Sequence, residues 1–314
     1  MRLYSLSAAA KINLHLEVIG DRPDGYHELV MIMQSISLAD RITVRSLATP
    51  EIRILCDHPQ VPTGSENLAY QAAALLQAKF PDVVRPRGGV EITIAKQIPV
   101  GAGLAGGSTN AAATLVGLDL LWKLGLTQGE LQVLGAELGS DIPFCIVGGT
   151  AIATGRGEQV DSLHSVDNLY AVLAKYQSLS VSTPWAYKAY REQFASTYVD
   201  ITADRLSRQN SVRSGPIVGE LAKQDRQGIG QHLHNDLEKV VLPAYPQVQT
   251  LKATLAKFGG LGTLMSGSGP TVFTLTTSQA QAEAIAEQLR SHLPDPDLGI
   301  WVTQFTPTSV QLTT

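Results

Sequence analysis

Cysteine is scarce: the 314-residue chain has two, Cys56 and Cys145. They form no C-x-x-C pair, and two cysteines build no disulfide framework. A thiol-ligated metal and a cross-linked secreted scaffold are therefore excluded, and a reducing, cytoplasmic setting is expected. No apolar run approaches the roughly 20 residues that span a bilayer, so no membrane partner is expected. The opening residues, Met1 to Ser5, lead quickly into patterned chain. They lack the apolar or Arg/Ser-rich stretch of a targeting segment. Lysine and arginine nowhere gather into a strip, and the net charge is −4. That excludes the electrostatic footprint of a nucleic-acid partner. Internal repeats and low-complexity tracts are also missing.

What is present fits an ordinary globular protein, with 44% hydrophobic and 17% charged residues. The length exceeds what one hydrophobic core usually serves. Two lobes are expected, residues 1–168 and 169–314. In the first, residues 10–19 alternate apolar and polar, as a half-buried strand does. A Pro/Gly turn follows at 20–25. Strand patterns recur at 29–38, 41–44, 52–55, 90–94, 150–154 and 169–175. Helical patterns cover 67–80, with Ser65 and Glu66 at its start, 109–124, with Gly125 as C-cap, and 131–138. In the second lobe, 185–194, 216–224, 246–258 and 279–292 read as helices. Residues 262–276 read as a hairpin and 299–305 as a last strand. The polar stretch 196–215 reads as a mobile loop. The fold class is α+β.

One segment carries chemistry. Residues 99–113 read P-V-G-A-G-L-A-G-G-S-T-N-A-A-A, with four glycines between 101 and 107 and then a strong helix. Glycines let backbone N–H groups approach an anion, and a helix start adds unpaired donors and a positive dipole end. Phosphate binding uses this combination. Ser108 would cap the helix or reach a phosphate oxygen or Mg²⁺. Taken alone, the segment also fits a flexible turn with an N-cap. It is not a Walker A loop, which needs Gly-Lys-Ser/Thr. Nor does it follow a βαβ unit, as the dinucleotide fingerprint does, or match a G-x-S-x-G elbow.

The segment resembles the phosphate loop of the GHMP kinases through Pro99, Gly103, Leu104, Gly107, Ser108, Ala111 and Ala112. Two more blocks of that superfamily appear in order, Ala10-Lys-Ile-Asn-Leu14 and Met265-Ser-Gly-Ser-Gly-Pro-Thr-Val-Phe273. Intervening blocks are similar to those of members acting on a cytidine diphosphate-linked methylerythritol. They are Arg22-Pro-Asp-Gly-Tyr-His27, Gly139-Ser-Asp-Ile-Pro-Phe144 and His234-Asn-Asp-Leu-Glu238.

The resemblance implies a two-lobed fold. Its N-terminal lobe would be like ribosomal protein S5, and its C-terminal lobe a ferredoxin-like α/β sandwich. It implies an enzyme transferring phosphate from ATP to the 2-hydroxyl of that small-molecule substrate, on the methylerythritol phosphate route to isoprenoids. Lys11 and Asp141 would be the catalytic pair. From residues alone, Lys11 also reads as a surface lysine and Asp141 as an N-cap. The nucleotide would be held by Asn67, Lys96, Pro99, Gly101, Gly103, Leu104, Ala105, Gly106, Gly107, Ser108 and Thr109. Asn13, Tyr26, His27, Thr183 and Tyr187 would hold the cytidine substrate. Ala105 and Thr109 depart from the family's usual glycine and serine. Mg²⁺ would ride mainly on the phosphates, since no carboxylate cluster marks a protein metal site. A monomer or weak homodimer is expected. The alternatives are another GHMP kinase, of homoserine or mevalonate type, a non-catalytic nucleotide-binding regulator, or an RNA-binding module.

Overall fold

The computed structural model describes residues 3–199 and 202–313. Two long strands open the chain, β1 (Leu3–Asp21) and β2 (His27–Ser46), paired antiparallel through the turn at 22–26. The stretches 29–38 and 41–44, expected as two strands, are one. Opposite Ala9 and Ala10 the register skips from Ala39 to Ile36, and this bulge bends β2 without ending it.

The first lobe continues with β3 (Ile52–Cys56), α1 (Leu68–Lys79), α2 (Pro81–Val84), β4 (Val90–Ala95) and α3 (Gly106–Trp122). Then come α4 (Gln128–Leu138), α5 (Ile142–Val147), β5 (Thr150–Gly155) and β6 (Gln159–Ser162). The chain moves to a second sheet at β7 (Tyr170–Tyr176) and runs through α6 (Thr183–Phe194), α7 (Thr202–Arg213), α8 (Pro216–Lys223) and α9 (Arg226–Gln231). A short β8 (His234–Asn235) precedes α10 (Glu238–Ala244), α11 (Pro246–Leu255), β9 (Gly262–Met265), β10 (Val272–Thr276) and α12 (Gln279–His292). The last strands are β11 (Leu298–Gln304) and β12 (Val310–Leu312).

The first sheet runs β12-β1-β2-β4-β3, with β5 on β2, β6 on β5 and β8 on β1. The second is antiparallel, β11-β7-β10-β9. The later half of the chain thus returns twice to the first sheet, at β8 and β12, and both returns pair with β1. This stitching holds the strand carrying Lys11 from both lobes.

Helix α3 has almost no polar face, and eleven of its residues are buried, Trp122 among them. A helix apolar all round belongs inside, and α3 packs on β1, β2, α1 and α5. It begins at Gly106, three residues earlier than its apolar pattern suggests. It closes on Lys123 in the left-handed region (φ 54°), not on Gly125. Helix α1 is capped by Asn67, whose Oδ1 accepts the Ala69 N–H at 2.8 Å; Ser65 lies outside it.

The stretch 196–215 is not a loop. It holds a 3₁₀ turn at 195–197 and helix α7. Its anchors are mostly polar, which hid it. Arg208 Nε meets Glu17 Oε1 at 2.5 Å, Gln209 donates to Glu28 Oε1 at 2.8 Å, and Arg213 pairs with Asp161 at 2.7 Å.

Candidate active site

The glycine segment leaves the first sheet at the end of β4 and leads into α3, which packs back on β1 and β2. Gly101 (φ 62°) and Gly103 (φ 71°) turn through the left-handed region, and so does Ala105 (φ 56°), which sits at the cap of α3 with no side-chain cap bond. The first intrahelical donor is the Thr109 N–H, bonded to Ala105 O at 2.9 Å. The N–H groups of Gly106, Gly107 and Ser108 precede it in the open first turn, where an anion finds donors and the positive dipole end together. Ser108 therefore lies inside the first turn and does not cap it. Thr109 is corrected: it is fully buried behind the loop, with Oγ1 3.4 Å from Ser309 Oγ, and does not line the cleft. Ala105 pays a left-handed penalty of about 1–2 kcal/mol. Ala105→Gly is expected to keep or slightly raise Tm, and Ala105→Val to lower it, in thermal unfolding.

Lys11 is no surface lysine. Its side chain is 5% exposed, and Nζ donates to Asn13 Oδ1 at 2.7 Å and to Gly103 O at 3.3 Å. Asp141 Oδ2 stands 3.7 Å from the same amine. Asp141 precedes α5 but makes no side-chain cap bond, so the helix leaves its carboxylate free to face Lys11.

The second lobe fastens this corner. Ser266 Oγ, at the start of the β9–β10 turn, donates to Gly103 O at 3.1 Å. Asn235 Nδ2 donates to Met265 O at 2.7 Å and to Gly267 O at 2.8 Å. Asp236 accepts the Val18 N–H at 2.9 Å. Burial works to raise the Asp236 pKa, but bonds from His234, Lys239 and Val18 outweigh it and hold the carboxyl well below its usual range. The His234-Asn-Asp block thus acts as a clamp between β1 and the hairpin.

Aromatic groups line another part of the cleft. Tyr26 is half exposed beneath Arg156, whose guanidinium carbon lies 5.1 Å from the ring centre. His27 is buried and stacked on Tyr187, 5.1 Å between centroids at 29°. Thr183, the first residue of α6, shares a 2.8 Å hydrogen bond with Ser268. Trp185 packs edge-on against Tyr245, outside the cleft. Burial raises the Tyr187 phenol well above its ordinary pKa, and nearby Asp141 adds to the shift. Arg191 Nε holds Asp21 at 2.7 Å, tying α6 to the end of β1.

Burial and then Arg191 lower the His27 pKa, against a smaller opposing pull from Asp21. The ring is neutral at pH 7, and among the described residues its buried Nε2 has no hydrogen-bond partner, although Asp21 is 3.5 Å away. The unfolded chain takes up this proton near pH 6.5, before the native state does. His27 therefore costs stability as pH falls below about 6.5. Comparing Tm at pH 7.5 and 5.5, His27→Gln should show a smaller loss than the unsubstituted protein.

Asn67 lines the cleft, but its side chain is spent on the α1 cap and on Pro62 O at 2.6 Å. It braces the 60–62 loop, which forms part of the wall. Lys96 is buried to its amine, which pairs with Asp40 at 2.5 Å. A single cleft of about 740 Å³ takes in every expected site residue except Thr109. Arg156, Arg191 and Asp40 were not foreseen. Of these only Arg191 had a legible signal, lying four residues after Tyr187 and so on the same helix face.

Two lobes clasping a glycine loop at a helix start, with a Lys–Asp pair beside it, define a small-molecule kinase of the GHMP type. Residues 67–149 match the GHMP kinases N terminal domain and residues 217–295 the GHMP kinases C terminal domain. A homoserine kinase structure from Cytophaga hutchinsonii superposes with a TM-score of 0.76 at 19% identity, covering 100% of this chain and 98% of that one; it shares the fold. A crystal structure of 4-(cytidine 5'-diphospho)-2C-methyl-D-erythritol kinase superposes with a TM-score of 0.73 at 31% identity, over 96% of this chain and 98% of that one. The 4-diphosphocytidyl-2-C-methyl-D-erythritol kinase of Nostoc punctiforme is 61% identical over 100% of this chain and 99% of its own. The chain belongs to the 4-diphosphocytidyl-2-C-methyl-D-erythritol kinase family of GHMP kinases.

Proposed function

We propose that this enzyme transfers the γ-phosphoryl group of ATP to the 2-hydroxyl of 4-diphosphocytidyl-2-C-methyl-D-erythritol, releasing ADP, on the methylerythritol phosphate route to isoprenoid precursors. The observation that carries the reading is the position of Asp141. It reaches Lys11, whose amine is bonded to the phosphate loop at Gly103, and it lies close enough to Tyr187 to perturb the phenol. Donor loop, acid–base pair and aromatic wall therefore meet at one carboxylate.

Asp141 orients the acceptor hydroxyl and takes its proton. Lys11 faces the Asp141 carboxylate at 3.7 Å and offsets charge on the moving phosphoryl. The loose transition state of phosphoryl transfer makes positioning the larger task, and the N–H groups of 106–108 perform it for the phosphates. Tyr26 and Tyr187 give faces for a pyrimidine, and neutral His27 offers a donor or an acceptor to its polar edge.

Mg²⁺ would draw most of its ligands from phosphates and water; Ser108 and Asp141 are oxygen ligands on this stretch of cleft, and the ion would neutralise charge on the γ-phosphate. The two free thiols support a cytoplasmic setting, and no described helix is long and apolar enough to cross a membrane. A monomer or weak homodimer, with no nucleic-acid partner, completes the reading.

A coupled ADP-release assay tests it, offering the cytidine-linked substrate beside homoserine and mevalonate. Turnover is expected only with the first; turnover confined to either of the others would reassign the enzyme. Tyr26→Ala should raise KM for the cytidine substrate about tenfold, the scale of one lost stacking contact, and leave KM for ATP unchanged. Equal changes in both would remove the base-binding role.

A further inference from the structure

We propose that Asp40, which does not line the cleft, is the positioning residue that sets the phosphate loop for ATP. The inference rests on reading residues 99–108 as that loop.

Asp40 lies on β2 where β4 parts from it. The last pair of that ladder is Arg41 with Ala95, so the N–H groups of Gln97 and Ile98 have lost their strand partner. Asp40 Oδ1 takes both, at 2.7 and 2.8 Å. Oδ2 takes Lys96 Nζ at 2.5 Å and Asn110 Nδ2 at 2.8 Å. The side chain is wholly buried, at 0% exposure. Four donors fill the four acceptor sites of a carboxylate, and nothing is left for a ligand.

The origin of the donors matters more than their number. Three come from residues 96–98, just before the loop, and one from Asn110, in the second turn of α3 just after it. One carboxylate therefore fixes both ends of the segment that presents the free N–H groups. Lys96 extends the hold. Its amine also donates to Ile98 O at 2.8 Å, and a Cβ built on Gly106 would lie 3.0 Å from it. The amine props the first turn of α3 from below, with its charge already matched by Asp40.

Asparagine cannot substitute for this carboxylate. Its amide has one acceptor oxygen, and its NH₂ would face either the two backbone N–H groups or Lys96 and Asn110, donor against donor. A buried Lys96 without its counter-charge would also be left behind. The strut should move, and the loop with it. Since misplacement by about 1 Å can cost two orders of magnitude, Asp40→Asn is expected to raise KM for ATP by on the order of tenfold or more. ADP affinity should weaken in parallel, with KM for the acceptor unchanged. Asn110→Ala, which loses one bond and keeps the ion pair, should shift the same constants in the same direction by less.

The measurements are ATP and acceptor KM values, ADP calorimetry, and Tm. A merely structural role would lower Tm and the active fraction and leave both KM values native; native ATP KM and ADP affinity in a folded variant would overturn the assignment. Should Asp40→Asn fail to fold, Asn110→Ala decides by the same constants. Absence of ADP binding by the unsubstituted protein would instead overturn the phosphate-loop reading itself.

Discussion

Asp141→Asn is expected to lower kcat by roughly 10²–10⁴-fold, the range a positioned general base supplies, with little change in KM for either substrate and almost none in Tm. The substitution keeps volume and polarity. It removes the proton acceptor and the negative partner of Lys11, 3.7 Å away. The fold should not notice, because the carboxylate makes no cap bond to α5, so the usual cost of losing an N-cap, about 1 kcal/mol, does not arise. Coupled ADP release gives kcat, and thermal unfolding gives Tm. A near-normal rate would sink the assignment. Lys11→Met should cost a comparable factor. The double variant should be no worse than the worse single one, since residues that act as a unit are not additive.

The Lys11–Asp141 contact was legible only through resemblance. By residue type, Lys11 is a lysine on a strand and Asp141 an aspartate before a short helix. Nothing local brings together positions 130 residues apart. The glycine turn and the helix start that follows it were legible from the residues themselves, because glycine spacing and helical pattern are local features. The strands were legible where apolar alternation was strict, and β2 was misread as two because a bulge interrupts the period without ending the strand. Helix α7 was missed because Arg205, Arg208, Gln209 and Arg213 hold it by polar bonds, and hydrophobic periodicity is blind to those. Asp40 was invisible for a related reason. It is a carboxylate within a strand, and its meaning comes from the donors that meet it at the parting of two strands. The same holds for Asn235 and Asp236, whose block was recognised although its clamping of the hairpin needed the tertiary fold.

Gly103→Ala should be the most damaging change in the glycine segment. Gly103 has φ 71°, where an alanine costs about 1–2 kcal/mol. A Cβ there would collide with Ser266 O and crowd Gly269 O at 3.0 Å, both backbone atoms of the hairpin turn. Asn235 ties that turn from within, through Met265 O and Gly267 O, so the turn has little freedom to retreat. Overpacking of this kind adds about 1–3 kcal/mol. The combined loss, about 2–5 kcal/mol, should appear as a lower Tm. Activity should fall further than stability, because Gly103 O is also an acceptor for the Lys11 amine and the Ser266 hydroxyl, and moving it displaces Lys11, the proposed catalytic lysine, together with the loop. Gly107→Ala is the control. Gly107 is helical, and its added Cβ would meet only Leu68 Cδ1, at an ordinary 3.5 Å, so stability should hold or rise slightly with the better helix former. If Gly107→Ala nonetheless raises KM for ATP at unchanged Tm, the glycine is needed for approach of the phosphates. Gly103 is needed for a different reason, the approach of the second lobe. A Gly103→Ala protein of native Tm and native kcat would show that the hairpin yields, and the junction of loop, lysine and hairpin would then not be the rigid unit that these contacts describe.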